Sequence, residues 1–218
     1  ERMFSGPNLE LWTEISTRPG SRRFTLSDQL TNHGSFTQEF QLIYHANYGA
    51  PLLEEGARFV APASRVYPLN EHSARDIAAF DRYLAPRAGF VAQVYTLYPL
   101  AGEQGRTTVA LRNRDATQAV SMSFSVEELP YLTLWKNTNS VGEGYVTGIE
   151  PGTGFPNNRQ VERKFGRVPR LKPGEARTFH LEVEIHDGQA QVASVLERIS
   201  RIQGAREQIL EPAVERIP

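Results

Sequence analysis

Cysteine is missing altogether from the 218 residues. Its absence excludes disulfides, thiolate metal sites and thiol nucleophiles. Charge of either sign is also nearly missing in sum: the net charge is -1. Such a chain has no electrostatic footprint for nucleic acid or for an anionic membrane surface, and neither partner is expected. No apolar run approaches the roughly 18 residues that a membrane-spanning helix needs. The opening residues Glu1, Arg2, Met3 and Phe4 carry no apolar core of a signal peptide, so a cytoplasmic location is expected. The spacings HExxH, HxH and GxSxG are absent, as are a P-loop and a dinucleotide fingerprint in a βαβ setting. A metal site is not expected.

What is present is a succession of short segments with a period of two, punctuated by Gly, Pro, Asn and Asp. Leu9–Thr17 and Arg23–Thr31 flank Pro19-Gly20 and read as a β-hairpin. Further strands are expected at 39–45, 57–60, 93–98, 107–113, 118–125, 131–136 and 144–150. In Ala176–Ile185 the residues Phe179, Leu181, Val183 and Ile185 share one face. Asn70–Gly89 breaks the pattern as an irregular excursion with Phe80 and Tyr83 as its anchors. After Asp187-Gly188 the period changes. Val192, Val195, Leu196, Ile199 and Ile202 form one stripe of an amphipathic helix over about 189–203. Gly204 ends or kinks it, and a second short helix to about Leu210 is expected. The expected fold is all-β: residues 1–218 as a single domain, a large antiparallel sandwich with a C-terminal helix packed on it.

Two segments carry candidate chemistry. In Leu42–Gly56, His45 stands at the end of an apolar strand between Tyr44 and Asn47, where an imidazole can transfer protons near neutral pH. A structural or solvated histidine is the competing reading. In Gly144–Arg159, an apolar strand runs into Glu150 and then a Pro/Gly/Asn loop. Burial there would raise the carboxyl's basicity, whereas pairing with Arg159 or Arg163 would make it structural. Tyr48, Trp135 and Phe155 supply aromatic faces of the kind that suit the C–H face of a sugar, and core packing is the alternative for each. His33, His72, His180 and His186 read as turn, loop or polar-face residues.

Five separated motifs then fall into a known order: YHANYGAPLLEEG from Tyr44, AGFVAQVY from Ala88, LPYLTLWKN from Leu129, GYVTGIEPGTGFPNNR from Gly144 and LKPGE from Leu171. In this order and spacing the chain resembles the aldose 1-epimerase-like family, and within it the DUF4432 branch. The resemblance runs from about residue 9 to the C-terminal helix. It implies a galactose mutarotase-like β-supersandwich, a small-molecule carbohydrate as partner, no cofactor, and an isomerase that interconverts anomers by opening the ring. It assigns His45 as the acid at the ring oxygen and Glu150 as the base at the anomeric hydroxyl. Asn47, Tyr48, Trp135, Lys136 and Arg159 become substrate-binding candidates. A non-catalytic carbohydrate-binding sandwich is the alternative. Two departures accompany the resemblance. Ala92 stands before Gln93 where the family pattern carries an acidic residue. The match also begins after an N-terminal portion of the family fold, so that a missing N-terminal segment or a homo-oligomer is expected to complete the pocket wall.

Overall fold

The computed structural model describes residues 6–217. The opening residues Glu1–Phe4, read above for a leader, lie outside them. In chain order the strands are β1 (Leu9–Thr17), β2 (Arg23–Asn32), β3 (Gln38–Glu39), β4 (Ala46–Tyr48), β5 (Arg58–Val60), β6 (Ala63–Pro68), β7 (Gln93–Pro99), β8 (Arg106–Arg112), β9 (Gln118–Ser125), β10 (Tyr131–Thr138), β11 (Tyr145–Gly152), β12 (Arg170–Leu171), β13 (Ala176–Asp187) and β14 (Ile209–Leu210). The helices are α1 (Glu71–Ala74), α2 (Arg159–Lys164) and α3 (Gln189–Gln203). One six-stranded sheet runs β1-β2-β13-β9-β8-β5 and the other β14-β6-β7-β10-β11-β4, with β12-β3 as a small ribbon.

The period of two explains the layering. Every second residue of each central strand points between the sheets. From the first sheet these are Leu30, Phe179, Leu181, Val183, Met122, Phe124, Val109 and Leu111. From the second they are Val66, Tyr95, Leu97, Leu132, Leu134, Tyr145 and Ile149. All belong to one buried cluster. Helix α3 lies on the outer face of the first sheet and buries Val192, Val195 and Ile199, with Ala110 of β8 beneath it. The expected sandwich with its C-terminal helix is therefore the observed architecture. Among the described residues no helix is long and apolar enough to cross a membrane.

Local expectations fail in three places. The single strand expected over 39–45 is broken: β3 ends at Glu39, Ile43 makes an isolated bridge to Gly152, and pairing resumes only at Ala46. His45 thus precedes a three-residue edge strand instead of ending a long one. β6 carries no period-two signal, because its buried residues Ala63, Val66 and Pro68 are not spaced at every second position. The tail does not form a second helix. Gly204 leaves the helix at φ +59°, Arg206 caps the carbonyls of Ile202 and Gln203, and the chain continues extended until β14 pairs in parallel with Arg65 and Val66. The excursion after β6 contains α1, capped by the Asn70 side chain, and it buries Phe80 and Tyr83.

Candidate active site

The register of the second sheet builds the site. β4 pairs with β11 so that Tyr48 faces Thr147, Asn47 faces Gly148 and Ala46 faces Ile149. Ile43 bridges Gly152, and the Tyr44 amide donates to the Pro151 carbonyl at 2.9 Å. Carried across the gap, the same register sets His45 directly opposite Glu150. Cross-strand partners project to the same side of a sheet. His45 Nε2 stands 3.0 Å from Glu150 Oε1 accordingly. β10 continues the row: Thr133 faces Glu150, and Trp135 faces Gly148. The side chains of Asn47, Trp135 and Thr133 therefore share the outward face with the His45–Glu150 pair. The Trp135 ring meets the His45 ring edge-on, with centroids 5.8 Å apart at 60°.

Gly148 makes this meeting possible. A Cβ at that position would stand 2.4 Å from Glu150 Oε1 and 3.2 Å from His45 Cε1. Sequence reading passed over it. The signal was available, since a glycine inside a strand often marks a close approach.

The two partners differ in environment. The Glu150 side chain is 5% exposed and that of His45 52%. Burial raises the Glu150 carboxyl above the usual carboxylate range, and the His45 charge opposes that rise. The contact between them is close but not aligned as a hydrogen bond. Glu150 Oε1 and the neighbouring Thr133 Oγ1 are both buried without a hydrogen-bond partner. Buried polar atoms without a hydrogen bond are uncommon in a folded protein, and here both belong to one cross-strand pair.

Three other candidates are not brought to the pair. Tyr48 points to the opposite side of β4, between the sheets, where burial pushes its hydroxyl up to about 12. Lys136 alternates away from Trp135 and is buried. Its Nζ donates to the carbonyls of Ala79 and Arg82 at 3.0 and 2.7 Å and lies over the Tyr83 and Tyr95 rings. Burial lowers its amine to about 8. Arg159 opens α2, reaches Gln41 at 3.2 Å and lines a separate groove with Arg163 and Arg170. Phe155 is on the site side of β11 but buried against Tyr98, Tyr131 and the Arg167 guanidinium. Arg167 is itself held between Glu162 and Glu215. His45, Asn47 and Tyr48 also stand at the rim of an apolar trough of about 810 Å³ between the sheet edges, walled by Phe24, Leu26 and Val183. Among the described residues no group of three or more His, Asp or Glu is arranged to hold a metal ion.

Comparison with known proteins agrees with the architecture. The family described as "Domain of unknown function (DUF4432)" matches residues 1–185. A crystal structure of a "putative aldose 1-epimerase" from Klebsiella pneumoniae subsp. pneumoniae MGH 78578 superposes with a TM-score of 0.96 at 40% identity, over 99% of this chain and 57% of that one. More distant folds include a galactose mutarotase related enzyme from Lactobacillus acidophilus (TM-score 0.56, 17% identity, 83% and 62% covered). A galactose mutarotase-like protein from Clostridium acetobutylicum is another (TM-score 0.53, 14% identity, 85% and 64% covered). The chain spans less than two thirds of the length of each of these proteins. No curated protein matches it.

Proposed function

The chain belongs to the DUF4432 family and has the galactose mutarotase-like sandwich fold, and from that footing we propose that it interconverts the anomers of a sugar or sugar derivative by acid/base ring opening. The observation that carries this reading is the cross-strand pairing of His45 with Glu150 at 3.0 Å over a glycine floor, beside an indole. The chemistry needs a proton donor at the ring oxygen and an acceptor at the anomeric hydroxyl at the same moment. His45 gives its proton to the ring oxygen while Glu150 takes the one on the anomeric oxygen. The bond from the anomeric carbon to the ring oxygen breaks, leaving an aldehyde and a free hydroxyl. Rotation about the C1–C2 bond and reclosure return the ring hydroxyl's proton to His45 and Glu150's proton to the anomeric oxygen, and yield the other anomer. This cycle starts from an imidazolium beside a carboxylate. Trp135 offers a flat apolar face to the ring, and the exposed Asn47 offers a hydroxyl partner. No cofactor takes part, and the whole chain acts as one mutarotase-like domain.

A second reading, a non-catalytic carbohydrate-binding sandwich, draws on the displacement of Tyr48, Lys136 and Arg159 from the pair, which leaves few binding groups around it. Saturation-transfer NMR of anomer exchange across a panel of neutral aldoses separates the two. We expect faster exchange than background, reduced by about 10²–10⁴-fold in both His45→Asn and Glu150→Gln. Wild-type exchange no faster than that of these variants, with sugar binding retained, would select the second reading.

A further inference from the structure

His45 is weakly held by its own side chain. Its ring is half exposed, and among the described residues it meets the Glu150 oxygen and the edge of Trp135. The segment that carries it is an interrupted edge: Ile43 bridges Gly152 through the Tyr44–Pro151 and Thr153–Leu42 backbone bonds, the Leu42 amide donates to Thr153 Oγ1, and pairing resumes only in the three residues of β4, which end the sheet. Short edge segments with few backbone bonds are the first to open. A pair whose chemistry depends on a 3.0 Å contact needs a firmer hold.

That hold is one residue away. Because side chains alternate along an extended chain, Tyr44 points opposite to His45, into the space between the sheets. Its hydroxyl donates to Asp28 Oδ2 at 2.5 Å. Asp28 lies on β2 in the other sheet, 3% exposed, in the inward row between Leu26 and Leu30. Its second oxygen, Oδ1, is buried without a hydrogen-bond partner. A carboxylate in an apolar layer is costly unless something specific is gained. Among the described residues the one hydrogen bond of its side chain is the one that reaches across to Tyr44. Burial and the adjacent carboxylate push the Tyr44 hydroxyl far above the ordinary tyrosine range, so it remains a donor at every working pH.

We infer that Tyr44 and Asp28 form a tether between the two sheets that positions His45 against Glu150. Its catalytic consequence rests on the acid/base reading above; its structural content does not. Tyr44 and Asp28 are positioning residues and touch no reacting atom.

The test is a double-mutant cycle read in the His45 ring. Glu150→Gln displaces the His45 ring resonances in a ¹H–¹³C spectrum at pH 7, the His45 signals being identified by their loss in His45→Asn. In Tyr44→Phe the same Glu150→Gln substitution should displace them by less than half as much. Asp28→Asn keeps an acceptor for the hydroxyl and should preserve most of the displacement. Should Tyr44→Phe fold poorly because it strands the carboxylate, Tyr44→Phe with Asp28→Leu removes both polar partners at little stability cost and should decouple the ring equally. Full displacement in both tether-free backgrounds, or none in the wild type, would overturn the tether. Loss of anomer exchange plays no part in this readout. A protein whose ring decouples as expected but which catalyses nothing would refute the proposed function and leave the tether standing.

Discussion

At the scale of single residues, Gly148 governs how close the acid and the base can come. A methyl group added there meets the Glu150 carboxylate at 2.4 Å, well inside contact distance, and the His45 ring at 3.2 Å. Glu150 cannot withdraw cheaply, because it is buried. We expect Gly148→Ala to lower anomer exchange by at least 10²-fold and stability by about 1–3 kcal/mol, the usual range for overpacking. Exchange spectroscopy and thermal unfolding check the two effects. A neighbouring change that adds bulk on the other face, Ala46→Val, should spare exchange. His45 and Glu150 were legible in the sequence only jointly, through the family pattern, since neither stood out from a structural alternative alone. Tyr48 and Lys136 illustrate the limit. Each is one residue from a position on the site face, Asn47 and Trp135, and a single step along a strand reverses the side chain. Composition and proximity in sequence carry no information about that parity when the strand boundaries are uncertain.

At the scale of elements, the strands that could be read were those with uninterrupted alternation. β13 sets Phe179, Leu181 and Val183 on one buried face, and β2 follows the same rule with Asp28 as its exception. The segments that misled were those whose structure depends on a distant partner. β14 exists because the β6 edge offers it two backbone pairs, and around His45 the pairing with β11 is reduced to the Ile43–Gly152 bridge before β4 begins. Helix α3 was legible from its stripe, and its position separates stability from the site. It covers the outer face of the first sheet, whereas His45 and Glu150 lie on the second. Ile199→Ala should therefore lower stability by about 2–4 kcal/mol, as buried Ile truncations do. Chemical denaturation should register that loss, and the exchange rate per folded molecule should stay at the wild-type value.

At the scale of the whole molecule, the two sheets end differently. The first ends in β1, exposed along both faces, with Trp12 on the side of Gln29 and Ile15 on the side of Leu26; the second ends in β4, beside the proton-transfer pair. The proposed site is thus an edge site, bordered on one side by the apolar trough between the sheets. The excursion after β6 closes part of the core, and it is pinned to the second sheet by Lys136, whose ammonium reaches the carbonyls of Ala79 and Arg82. That pin makes the molecule its own timekeeper. The chain has three lysines, and the other two, Lys164 and Lys172, are exposed. With its amine lowered to about 8, Lys136 is largely uncharged, and so nucleophilic, at pH 9, where ordinary lysines are still mostly protonated. A small acylating reagent should nevertheless modify it last. Its labelling rate at pH 9, resolved by peptide mass spectrometry against the two exposed lysines, then counts how often the 79–82 segment lifts away. If Lys136 labels as fast as Lys164, the excursion is not held closed by this amine.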